Sequence, residues 1–134
     1  LKSEMVKDML GEDRKVAIGF NGIAWFLPPE KLEHSLKILY EWADPGTKLF
    51  ISDGDNPDTS GDAAKLKEFY KQVGQEPYFK PLEKFYDIVK PWNIEDPGFK
   101  LLEEWVDMPP SISKEIEESW EGGGAIYGGI LRKD

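Results

Sequence analysis

Between Lys15 and Asp55 the apolar positions change period twice. Val16 to Phe20 is a short run with no polar residue inside it, the pattern of a strand covered on both faces in a mostly parallel sheet, and Lys48 to Asp53 reads the same way. Between them Leu32, Leu36, Leu39, Tyr40 and Ala43 recur at spacings of three and four, while Lys31, Glu33, Lys37 and Glu41 fall on the opposite side. That spacing predicts a helix lying flat on a sheet. Pro28 and Pro29 suit its first turn, where a missing N–H costs nothing, and Glu30 sets negative charge at the positive end of the helix dipole. Asp44-Pro45-Gly46 stops it, because the residue before proline avoids helical angles and glycine accepts the left-handed turn. Strand, helix and strand make one βαβ unit, for which a right-handed crossover is expected.

The flanking pattern is less regular. Met5, Val6, Met9 and Leu10 predict a short amphipathic helix over residues 2–10 that packs against the rest, followed by a polar turn at Gly11 to Arg14. Asn21-Gly22 suits a tight turn, and Ile23 to Leu27 then places bulky apolar residues at the carboxyl end of the first strand, where open α/β sheets hold their ligands. Asp62 to Gln72 reads as a helix with Ala63, Leu66, Phe69, Tyr70 and Val73 on one side, closed by Gly74. Pro81 opens another short helix that buries Leu82, Phe85 and Tyr86. Ile88 to Ile94 reads as an edge or bent strand interrupted by Pro91. Phe99 to Val106 has a weak helical period, Ser111 or Ser113 is placed to cap a helix running through Trp120, and Ala125 to Leu131 is a last strand.

Composition narrows the class. The 134 residues suffice for one domain and not for two ordinary ones. With 26 acidic against 17 basic residues the net charge is −9, which repels a phosphate backbone, so nucleic acid is not an expected partner. The absence of cysteine excludes disulfides, thiolate metal sites and a cysteine nucleophile, and fits a reducing cytoplasm. No apolar run approaches a membrane span and no signal-peptide pattern opens the chain. Because the first residue is Leu1, the chain is expected to be a piece of something longer.

Three features invite chemistry and are better read otherwise. The loop Ser52 to Asp62 carries four aspartates, but counting from Asp53 a calcium loop would need glycine where Asp58 stands and glutamate where Ala64 stands. Gly122-Gly123-Gly124 precedes a strand instead of a helix, so it lacks the geometry of a phosphate cradle and reads as a flexible hairpin entry. His34, the only histidine, lies outside the apolar stripe of its helix and cannot reach the strand ends, which rules out a serine–histidine–acid arrangement.

The order FNGIAWFLPPEKLEHSLKILYEWADPGTKLFISD, then Pro91-Trp92, Asp96-Pro97-Gly98-Phe99 and a closing Tyr127 to Lys133, resembles the C-terminal half of class I S-adenosylmethionine-dependent methyltransferases. Within that group it looks most like the actinobacterial-type S-adenosyl methyltransferases of unassigned substrate. The resemblance covers nearly all of the chain. It implies an α/β Rossmann-like half-sheet, strands 4-5-7-6 of the family order 3-2-1-4-5-7-6, with the last strand antiparallel and helices flanking it. The glycine-rich turn that carries most of the family's cofactor contacts is absent from this chain.

The resemblance further implies S-adenosylmethionine as cofactor, with Phe20, Asn21 and Gly22 nearest the transferred methyl, Trp25 and Phe26 as an apolar wall and Asp53 facing the same crevice. Trp25 stands where relatives commonly have a histidine, which argues against a general base there. Trp25 and Phe26 read equally as core residues of a strand-to-helix junction, and Asp53 as a turn aspartate. Two functions follow. One is the substrate-side half of a methyltransferase acting on a small molecule. The other is a noncatalytic remnant or interaction module that uses the bare edge of strand 15–20 to bind itself or a partner, the edge that a missing N-terminal half would cover on the first reading.

Overall fold

The computed structural model describes residues 3–55, 61–106 and 125–134. In chain order the elements are α1 (Glu4–Leu10), β1 (Ala17–Phe20), a 3₁₀ turn (Ala24–Phe26), α2 (Pro29–Trp42) and β2 (Lys48–Asp55). After these come α3 (Gly61–Gln72), α4 (Leu82–Ile88), β3 (Asn93–Ile94), β4 (Lys100–Leu101), a second 3₁₀ turn (Leu102–Trp105) and β5 (Ala125–Arg132).

The described strands form one open sheet in the order β1-β2-β5-β3, with β4 also pairing β5. Strands β1 and β2 run parallel with Ala17 opposite Lys48 and Phe20 opposite Ile51, the neighbour relation that the βαβ pattern predicts. Strand β5 is antiparallel to β2 along its whole length, Lys48 facing Arg132 and Asp55 facing Ala125. Both short strands β3 and β4 add antiparallel to β5, at Asn93–Arg132 and Lys100–Gly128. This is the expected half-sheet with its antiparallel strand.

Helix α2 covers one face. Pro29 is its first residue, and Leu32 and Leu36 are fully buried against Leu49, Ile51 and Leu131, which share a sheet face because strand side chains alternate. Phe85, Ile88, Val89, Trp92 and Phe99 complete that core. Trp92 ties the two layers together: its indole N–H donates to the Leu36 carbonyl at 2.9 Å while its ring meets Tyr40 edge-on. The orphan carbonyls at the end of α2 are satisfied by Lys133, whose Nζ donates to Tyr40 O and Ala43 O at 2.7 and 2.8 Å. On the opposite face Trp105 packs edge-on against Phe50 and donates to Gly128 O.

Several expectations need correction. Strand β1 is not covered on both faces: Ala17 and Gly19 are exposed and only Val16, Ile18 and Phe20 are half-buried. It is the terminal strand of the described sheet, the edge position that the resemblance implied. Helix α1 buries none of its residues, with Met5 72% and Met9 78% exposed, so it does not pack as an amphipathic helix should. In α3, Phe69 and the following Val73 are exposed, while Tyr70 packs edge-on against Phe26. Tyr86 is exposed too, and Ile88 enters the core as the last residue of α4 instead of opening a strand. Strand β3 therefore begins only at Asn93. The weak period over Phe99 to Val106 resolves into β4 and a 3₁₀ turn. The expectations for Asp58, Ser111, Ser113, Trp120 and Gly122-Gly123-Gly124 fall outside the described residues.

Candidate ligand site at the carboxyl ends of the parallel strands

The chain leaves β1 through Asn21 and Gly22, and the polar atoms there are tied to β2. Gly22 N–H donates to Ser52 Oγ at 3.1 Å, and the Ser52 hydroxyl donates to Asn21 Oδ1 at 2.8 Å. Ser52 is buried and Asn21 is exposed, so a hydroxyl inside the sheet orients a carboxamide outside it. Gly22 sits at φ 65°, a backbone angle that glycine takes without strain. The Trp25 indole lies over it: a Cβ at Gly22 would meet Trp25 Cζ2 at 3.8 Å.

The same indole reaches the end of β2. A Cβ at Gly54 would stand 4.0 Å from Trp25 Cε3 and 3.0 Å from Phe79 Cδ1, so the missing side chain makes room for two aromatic rings. Trp25 thus spans both strand ends, and Phe26 continues the wall, its ring edge-on to Trp25 and to Tyr70 of α3. Both residues are half-buried, an intermediate state between core and pocket.

Behind this wall is a buried ion pair. Lys80 Nζ lies 2.9 Å from Asp53 Oδ2, and the same ammonium donates to Ala24 O at 3.1 Å and Tyr78 O at 2.6 Å. Its three donors therefore each have an acceptor. Gly54 N–H donates to the other Asp53 oxygen at 2.8 Å. Asp53 is not a turn aspartate, because β2 continues through Asp55. It instead anchors the segment Tyr78–Lys80 and, through Ala24 O, the 3₁₀ turn that carries Trp25.

Phe20, Asn21, Gly22, Trp25 and Phe26 lie around the same strand ends, whereas Asp53, expected to face that crevice, is buried behind the aromatic wall with its carboxylate committed to Lys80 and Gly54 N–H. Sequence reasoning missed Ser52, Gly54, Phe79 and Lys80. Lys80 lies in a stretch, PYFKPLEK, with nothing to distinguish it from a surface lysine, and only its position between Phe79 and Pro81 hints at a tight setting. His34 is exposed on α2. Among the described residues no group of acids and histidine is arranged to hold a metal ion, and no helix is long and apolar enough to cross a membrane.

No family model and no curated protein matches the chain. Solved structures do. A candidate methyltransferase from Thermobifida fusca YX matches with a TM-score of 0.76 at 19% identity, over 100% of this chain and 49% of that one. A DUF574-family protein from Streptomyces avermitilis MA-4680 matches with a TM-score of 0.70 at 18% identity, over 90% of this chain and 45% of that one. The fold is thus an open α/β sheet with flanking helices of the kind these structures contain, and the chain spans about half of their length.

Proposed function

We propose that this chain is the substrate-side, C-terminal half of a cytoplasmic S-adenosylmethionine-dependent methyltransferase that acts on a small molecule, of the actinobacterial type. The observation that carries the reading is the strand order β1-β2-β5-β3 with β5 antiparallel, which corresponds to 4-5-7-6 of the class, together with polar and aromatic groups converging where β1 and β2 end. Ligands of open α/β sheets sit outside those ends.

The residues present fit one side of the cofactor. Backbone at Phe20, Asn21 and Gly22 leaves the sheet there, and the faces of Trp25 and Phe26 suit a desolvated cation, as aromatic rings do. S-adenosylmethionine supplies a methyl group on a positively charged sulfur. Transfer to a nucleophile in line with it needs orientation and exclusion of water more than acid–base chemistry. The chain's part is accordingly structural: Trp25 and Phe26 keep water out, while Asp53 and Lys80 hold the turn that carries Trp25 in place.

Titrating S-adenosylmethionine into this chain and into the intact gene product by calorimetry tests the proposal. Binding by the intact product, and weaker or no binding by this chain, is expected. Binding by neither contradicts it. A second reading, an interaction module that pairs through β1, is favoured by one observation: Ala17 and Gly19 are exposed on the terminal strand. Sedimentation of the intact gene product alongside its titration separates the two, since an intact product that dimerises and binds no cofactor supports the module.

A further inference from the structure

We infer that Asn21 is a specificity-determining residue whose carboxamide N–H groups donate to a neutral carbonyl oxygen of the methyl acceptor. The inference rests on the methyltransferase reading and deepens it, moving the Asn21 side chain from the cofactor to the acceptor.

The orientation of the amide follows from the hydrogen bonds. Ser52 Oγ accepts from Gly22 N–H and is buried, and its own proton goes to Asn21 Oδ1. Rotating the carboxamide by half a turn would set N–H groups against Ser52 and leave the buried hydroxyl proton without this acceptor, a costly state. Asn21 therefore presents its two N–H groups outward, and they have no partner among the described residues.

The charge environment selects what they bind. An N–H pair carries partial positive charge, which an adjacent sulfonium repels and an oxygen lone pair attracts. A carboxylate would attract it more strongly, but the neighbouring buried ammonium, Lys80, has its donors directed to Asp53, Ala24 O and Tyr78 O. The chain's net charge of −9 adds repulsion for an anion. A neutral carbonyl on a ring that lies against the aromatic wall is the group that meets both conditions.

Benzamide and benzoate form a matched pair of probes, alike in ring and different in charge. Titrated without cofactor into ¹⁵N-labelled chain, benzamide should shift the Asn21 side-chain Nδ2H₂ signals and the Trp25 indole signal, and benzoate should not. Asn21→Asp retains an oxygen to accept from Ser52 but removes the outward donors, so it should keep the backbone spectrum and lose the benzamide response. Ser52→Ala frees the carboxamide and should weaken that response. The inference is overturned if benzamide leaves the Asn21 signals unmoved, if benzoate shifts them more, or if a folded Asn21→Asp variant responds as the original does. Because no cofactor is added, these outcomes are separate from failure of S-adenosylmethionine binding.

Discussion

Lys80 Nζ and Asp53 Oδ2 lie 2.9 Å apart with side chains only 4% and 5% exposed, and the pair joins the segment before α4 to the carboxyl end of β2. Removing one partner from such a pair leaves a charge in a dry site, which costs about 3–5 kcal/mol. Lys80→Met should destabilise the chain by about that much in urea unfolding, and Asp53→Leu combined with Lys80→Met should recover part of it. Recovery stays partial because Ala24 O and Tyr78 O lose their donor in both variants. A Lys80→Met chain as stable as the original would show that the pair does not form.

Two glycines in the sheet should respond oppositely to alanine. A Cβ at Gly129 would meet Phe99 Cδ1 at 2.6 Å, inside the core, whereas nothing lies within 4 Å of one at Gly19. Gly129→Ala should cost about 1–3 kcal/mol through overpacking. Gly19→Ala should gain about 0.5–1 kcal/mol in the isolated chain, because alanine has less backbone freedom to lose. Thermal unfolding of both variants checks the burial of one sheet face and the openness of β1.

At the surface, Lys90 Nζ donates to Asp87 Oδ1 at 2.8 Å, and this hydrogen bond, followed by the lysine's charge, holds the Asp87 carboxyl below its ordinary pKa. A lowered carboxyl pKa stabilises the folded state above the unfolded-state value, and that contribution disappears as pH falls through the folded-state value. NMR titration should find the Asp87 midpoint below that of a free aspartate, and Lys90→Met should return it upward. An unchanged midpoint in the variant would show that Lys90 is not what lowers it.

What the sequence discloses depends on the range of each interaction. Helix α2 and its proline start are set by spacing within one segment, and the parallel pairing of β1 and β2 follows from the short crossover. The openness of β1 is also written locally, though in size instead of polarity: Val16, Ile18 and Phe20 alternate with the smaller Ala17 and Gly19, a period of two inside a uniformly apolar run. Lys80 and Asp53 are separated by 27 positions, and no local pattern marks a lysine that will be buried. Asn21 is marked by its place at the strand end, but its orientation depends on Ser52, which is 31 positions away.

Hydrogen–deuterium exchange on the intact gene product, with and without S-adenosylmethionine, tests the location and the identity of the ligand together. Adding the cofactor should slow exchange at residues 20–26 and 52–54 and leave α1 and the turn at residues 44–47 unchanged. Slowing confined to other segments, or none at saturating cofactor, would contradict a ligand site at the ends of β1 and β2.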